Sequence, residues 1–94
     1  MYIQFIKNIQ FTKVLKVHLR LREFNFLKHN AEPSPYFSVD TVDDRGNRIL
    51  FRMIKNGSNH WEIVPQILPN WIQENEDKMH EAIIDELDKG EYSH

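Results

Sequence analysis

Tyr36-Phe37-Ser38-Val39-Asp40-Thr41-Val42, then Asp43-Asp44-Arg45-Gly46-Asn47, then Arg48-Ile49-Leu50-Phe51-Arg52-Met53-Ile54-Lys55 is the stretch on which the fold turns. In its first run Phe37, Val39 and Thr41 alternate with Tyr36, Ser38, Asp40 and Val42, the period-two pattern of a strand buried on one face. Asp43 to Asn47 supplies turn residues, with Gly46 suited to a positive φ. The last run returns as a strand, with Ile49, Phe51 and Met53 on one side and Leu50, Arg52 and Ile54 on the other. Asn56-Gly57 then reads as a type I′ hairpin turn into a further strand, His60 to Val64, with Trp61 and Ile63 inward.

Upstream, Val14 to Arg22 alternates as well, with Leu15, Val17, Leu19 and Leu21 opposite Lys16, His18, Arg20 and Arg22. Phe24 and Phe26 fall out of phase with these leucines, which predicts a bulge near Glu23 that returns both rings to the core side. Two prolines hold Lys28 to Pro35 out of regular structure. Residues 1–11 fit either a helical face (Tyr2, Phe5, Ile6, Ile9) or a strand (Ile3, Phe5), and the helix is preferred.

Downstream, Pro65 and Pro69 end the sheet, and a helix is expected from Asn70, as N-cap, to about Lys89, with Gly90 as C-cap. Ile72, Met79, Ala82, Ile83 and Leu87 form one apolar stripe, with Trp71 at its entrance. The chain therefore reads as one domain, residues 1–94, with an antiparallel sheet over 14–64 and a helix over 70–89. The fold class is α+β, a two-layer sandwich in which a four-stranded antiparallel meander carries a C-terminal helix on one face, with a short N-terminal helix as an addition. At 94 residues, 40% of them hydrophobic, it has room for one modest core.

Charge is divided unevenly along the chain. Residues 1–60 carry ten Lys or Arg against five Asp or Glu, a net of +5, and residues 61–94 carry two against nine, a net of −7. Glu74, Glu76 and Asp77 suit the positive end of the helix, but Asp85, Glu86 and Asp88 oppose its negative end and call for solubility or a basic neighbour as their reason. The absence of cysteine excludes disulfides, thiolate metal sites and thiol nucleophiles. Met1 to Gln10 is interrupted by polar residues too often to form a membrane span or a signal core, so a soluble, cytoplasmic protein is expected.

Strand alternation defines an uncovered sheet face comprising Lys16, His18, Arg20, Arg22, Tyr36, Ser38, Asp40, Arg48, Leu50, Arg52, Ile54, His60 and Glu62. It combines arginines with an apolar patch of Val42, Leu50 and Ile54, a surface that a partner can dehydrate and pair with. Arg20, Arg22, Leu50, Arg52 and Ile54 are its candidate protein-binding residues. The plainer reading is a solvated face in which Arg20 and Arg52 pair with Asp40 and Glu62. Nucleic acid would need outward aromatic rings, and Tyr36 alone is placed to supply one.

No metal, cofactor or catalytic signature emerges. Glu76 and His80 are spaced to share a helical face, and His18 and His60 to share the open sheet face, yet no HExxH pattern or close pair of His ligands is present. Serines lack a nucleophile-elbow context and the three glycines cannot form a phosphate loop. Trp61 and Trp71 read as core residues. The function expected is a small non-catalytic interaction module. It would bind a protein partner, or itself as a homodimer, through the basic sheet face, a sheet edge or the acidic helix side of Glu74, Asp77, Glu81, Asp85 and Asp88. Nucleic-acid binding by the same face is the alternative, and an enzyme whose site is assembled only by the fold is the third.

Overall fold

A computed structural model of the chain describes residues 9–91. The strands are β1 (Gln10–Val17), β2 (Arg20–His29), β3 (Tyr36–Val42), β4 (Arg48–Lys55) and β5 (Trp61–Ile63). They form one antiparallel sheet in the order β1-β2-β3-β4-β5, five strands where four are expected from the sequence. Two helices follow, α1 (Asn70–Gln73) and α2 (Glu76–Glu91). The α+β class and the C-terminal helix packed on one sheet face stand as read, and β3 and β4 keep the expected bounds. Of the ambiguous first segment, residues 1–8 lie outside the described residues, while Gln10 and Phe11 belong to β1.

The extra strand comes from a turn rather than a bulge. Val17 pairs with Arg20, and the two residues between them, His18 and Leu19, have φ of 48° and 68°. That is the left-handed pair of a two-residue hairpin loop. Each odd residue of β1 then faces an even residue of β2, so Leu15 and Val17 share a face with Phe24 and Phe26 and no bulge is needed. The signal was hidden because His and Leu stand where Asn and Gly are the usual occupants. The leucines expected on the buried side end in solvent, Leu19 at 88% and Leu21 at 74% exposure.

Three other local expectations change. Asn56-Gly57 opens a longer loop in which the left-handed residue is Asn59, at φ 62°. The Asn56 side-chain oxygen accepts the amides of Ser58 and His60 and so organises that loop. The helix is broken at Glu74-Asn75, where buried Asn75 donates from Nδ2 to the Trp71 carbonyl at 2.6 Å. Pro69 takes the cap position of α1 with no side-chain cap bond, and Gly90 lies inside α2 rather than beyond its end.

The core is a single layer between sheet and helices. Phe24, Phe26, Phe37, Phe51, Met53, Ile72, Met79 and Ile83 are fully enclosed. Phe11 stacks on Phe26 at 4.5 Å, and Phe37 meets the edge of Trp61 at 5.0 Å. Burying each such side chain contributes about 1.5–3 kcal/mol, against about 0–1 kcal/mol for an exposed ion pair, so stability resides in this layer. The expected helix stripe is the one observed, with Ile72, Met79, Ala82 and Ile83 buried and Leu87 at its margin.

Leu19 makes the hairpin testable. Leu19→Gly relieves a left-handed conformation that costs a side-chain residue about 1–2 kcal/mol and offsets this in part through chain entropy, so a net gain of about 0.5–1 kcal/mol is expected in urea unfolding. A loss would mean that Leu19 lies within a continuous strand. The next turn offers a second test. Asp43 Oδ1 accepts the amides of Asn47 and Arg45, and these bonds hold its carboxyl below the ordinary 3.8. Its stabilising effect is therefore complete above 3.8 and lost as pH falls through the lowered value. Asp43→Asn, which keeps an acceptor but cannot titrate, should flatten the acid limb of the stability profile; an unchanged limb would refute the assignment.

Candidate functional site

The ladder registers place every outward side chain of the sheet. Across its uncovered face run Gln10, Thr12, Val14, Lys16, Leu21, Glu23, Asn25, Leu27, His29, Tyr36, Ser38, Asp40, Val42, Arg48, Leu50, Arg52, Ile54 and Glu62. Val14, Leu21, Leu27, Val42, Leu50 and Ile54 are all exposed, at 36–74%. Leu50, Arg52 and Ile54 thus lie where the sequence places them. Val14 and Leu27 join them in the phase that the alternation already implies, and Leu21 joins them because the β1–β2 hairpin reverses the expected phase there.

Arg20 and Arg22 are not on this face. Both pair across the ladder with inward residues, Val17 and Leu15, and so point to the helix side. Arg22 stacks over Trp71 at 4.2 Å with its side chain only 13% exposed, donates to the Val42 carbonyl, and shares the Asp44 carboxylate with Arg20. Lys13, on the inward side of β1 with Leu15 and Val17, pairs with Phe24 and lines one groove with Asp85, Glu86 and Asp88 of α2. This is the basic neighbour those acidic residues called for. The charge split of the sequence is thus partly answered inside the fold. The open face is left with Lys16, Arg48 and Arg52 against Glu23, Asp40 and Glu62, three cations and three carboxylates. It is apolar and charge-balanced rather than basic.

Polar groups on the face are largely paired with one another. Thr12 donates to Asn25 Oδ1, Asn25 donates to Asp40, and Arg48 donates to the second Asp40 oxygen, forming a row across four strands. Tyr36 is flanked from β2 by the His29 ring, stacked at 4.6 Å, and from β4 by the Arg52 guanidinium at 4.9 Å. A base would have to displace one of these to stack on Tyr36. The expected pairing of Arg20 and Arg52 with Asp40 and Glu62 is replaced by Arg20 with Asp44, Arg48 with Asp40, and Asn56 with Glu62.

A second cluster forms where β5 meets α2. The Trp61 amide donates to His80 Nδ1 at 3.0 Å, and the Ile63 amide donates to Glu76 Oε2 at 2.9 Å. Glu76 and His80 do share a helical face, as read from their spacing, and both are engaged by the outer edge of the sheet. His60 stacks on His80 with ring centres 4.1 Å apart and contacts Asp77 at 3.2 Å. Burial, followed by the neighbouring His60, holds His80 below its ordinary 6.5, so it stays neutral and keeps the lone pair that accepts the Trp61 amide. His18 lies at the hairpin tip against Glu74 and His60 lies against α2, so the two do not share the open sheet face as the alternation implies.

A fold-assembled active site would bring perturbed groups together in one concavity. The shifted groups among the described residues, Asp43 and His80, sit in the β3–β4 turn and on α2, and each shift follows from local hydrogen bonding or burial. No helix among the described residues is long and apolar enough to cross a membrane. No protein-family model matches this chain, and neither a curated protein nor a solved structure does.

The β5–α2 junction predicts a graded response. His80→Phe leaves the Trp61 amide without an acceptor and should cost about 1–3 kcal/mol in urea unfolding. Glu76→Gln retains an oxygen for the Ile63 amide and should cost less. Equal losses would show that the two side chains do not act as acceptors.

Proposed function

We propose that this protein is a non-catalytic interaction module that docks a protein surface, a second copy of itself in the first instance, through the open face of its sheet. The observation that carries the reading is the concentration of exposed aliphatics on one face: Val14, Leu21, Leu27, Val42, Leu50 and Ile54. Scattered surface leucines are ordinary, but six on one sheet face form a surface whose burial releases water. The equal count of cations and carboxylates favours self-association, because two copies can meet without net repulsion and can set Arg48 or Arg52 against Glu23 or Glu62. A nucleic-acid partner is less well served, since the face carries no net positive charge and its outward tyrosine is flanked on both sides.

Light scattering coupled to size exclusion, run across a range of loading concentrations, tests the proposal. The expected result is a concentration-dependent dimer that Leu50→Asp with Ile54→Asp returns to monomer. Leu50 and Ile54 stand opposite Asp40 and Glu62 in the ladder, so the two aspartates should lower the monomer's own stability by about 1–2 kcal/mol, and circular dichroism checks that the variant stays folded. A wild-type monomer at every concentration, or a dimer indifferent to these substitutions, would overturn the reading; excess nucleic-acid absorbance would point to the alternative partner.

A further inference from the structure

We propose that His60, Glu76 and Asp77 form a binding site for a divalent transition-metal ion of the zinc class. This inference is independent of the open face. One ligand atom from each residue lies within 4.8 Å of the others, and His60 Nε2 and Asp77 Oδ1 are already 3.2 Å apart. Zinc sits about 2.0–2.2 Å from nitrogen and oxygen ligands, which places neighbouring ligand atoms about 3–3.5 Å apart. The His60–Asp77 separation therefore matches a metal-bridged pair as it stands. Closing the triangle requires the third ligand to move inward by roughly 1–2 Å, within reach of a carboxylate on a flexible stem.

Surrounding bonds hold the ligands as an outer shell does. Glu76 Oε2 accepts the Ile63 amide, which orients the carboxylate and leaves its second oxygen for an ion. His60 is held in plane by stacking on His80, itself fixed through Nδ1 by the Trp61 amide. His80 Nδ1 is already taken by the Trp61 amide, so His80 supports His60 rather than joining it as a ligand. Three protein ligands, one nitrogen and two carboxylates, leave a fourth position for water. Imidazole nitrogen selects zinc, nickel or cobalt over calcium and magnesium, which take oxygen ligands. The positive end of α2 opposes a cation here, and the two carboxylates offset it. The sequence conceals the site because His60 comes from the β4–β5 loop, sixteen and seventeen positions before its partners.

Calorimetric titration of the full-length chain with zinc sulfate, with calcium chloride as comparator, tests this. One zinc per chain is expected, accompanied by a higher midpoint of thermal unfolding and, with cobalt, by visible absorption of a four-coordinate site. His60→Ala and Asp77→Asn should each weaken zinc binding at least tenfold, while His18→Ala leaves it unchanged. Asp77 is exposed, so its variant retains the fold should His60→Ala lose it, and circular dichroism checks both. Absence of saturable zinc binding, wild-type affinity in the Asp77 variant, or equal binding of calcium would overturn the proposal.

Discussion

Two hydrogen bonds set the register between sheet and helix. The Trp61 and Ile63 amides are two residues apart on a strand, about 6.6 Å, and their acceptors His80 and Glu76 are four apart on a helix, about 6.0 Å. The near match lets one helical face take two successive free amides of an edge strand. Edge amides otherwise offer a template for another chain, so the three-residue strand β5 is closed by side chains. The same register buries Met79 and Ile83 in one cluster with Phe37, Phe51 and Met53, and carries Asp77 to His60.

With the helix fixed over one face, no element among the described residues covers the other, and its aliphatics are exposed. Antiparallel sheets tolerate this when the second face is polar. Here it is only half polar, with a hydrogen-bonded row from Thr12 to Arg48 and a His29–Tyr36–Arg52 stack separated by exposed leucines, valines and isoleucine. Such a mixture has the texture of an interface, with directional polar groups already organised and apolar groups between them. The reading of the open face as a docking surface rests on this composition.

Electrostatics divides along the same plane. Arg20, Arg22 and Lys13 belong to the covered side, two of them at Asp44 and the third beside the acidic residues of α2, so three of the ten cations of the first half face the helix side. Glu74, Asp77, Glu81, Asp85 and Asp88 remain exposed on the helix side. The strongest charge in solution therefore lies on the helix, while the open sheet face is balanced and apolar.

The sequence by itself determined the α+β class, the β3–β4 hairpin, the inward sets of Phe37, Val39, Thr41, Phe51 and Met53, and the buried stripe of the helix. Periodicity reports burial directly, and each of these segments keeps one period throughout. Tertiary structure alone decided the β1–β2 turn, because His18 and Leu19 adopt left-handed angles that local preference would not assign them and that strand pairing imposes. That one turn moved Arg20 and Arg22 off the open face and put Leu21 onto it, since it shifts the phase at residues 18–19 where a bulge near Glu23 is expected to shift it, and only the residues between the two points exchange faces. The grouping of His60, Glu76, Asp77 and His80 was likewise decided in three dimensions: spacing along a helix showed that Glu76 and His80 share a face, but only the packing of that face against β5 determined which groups it meets.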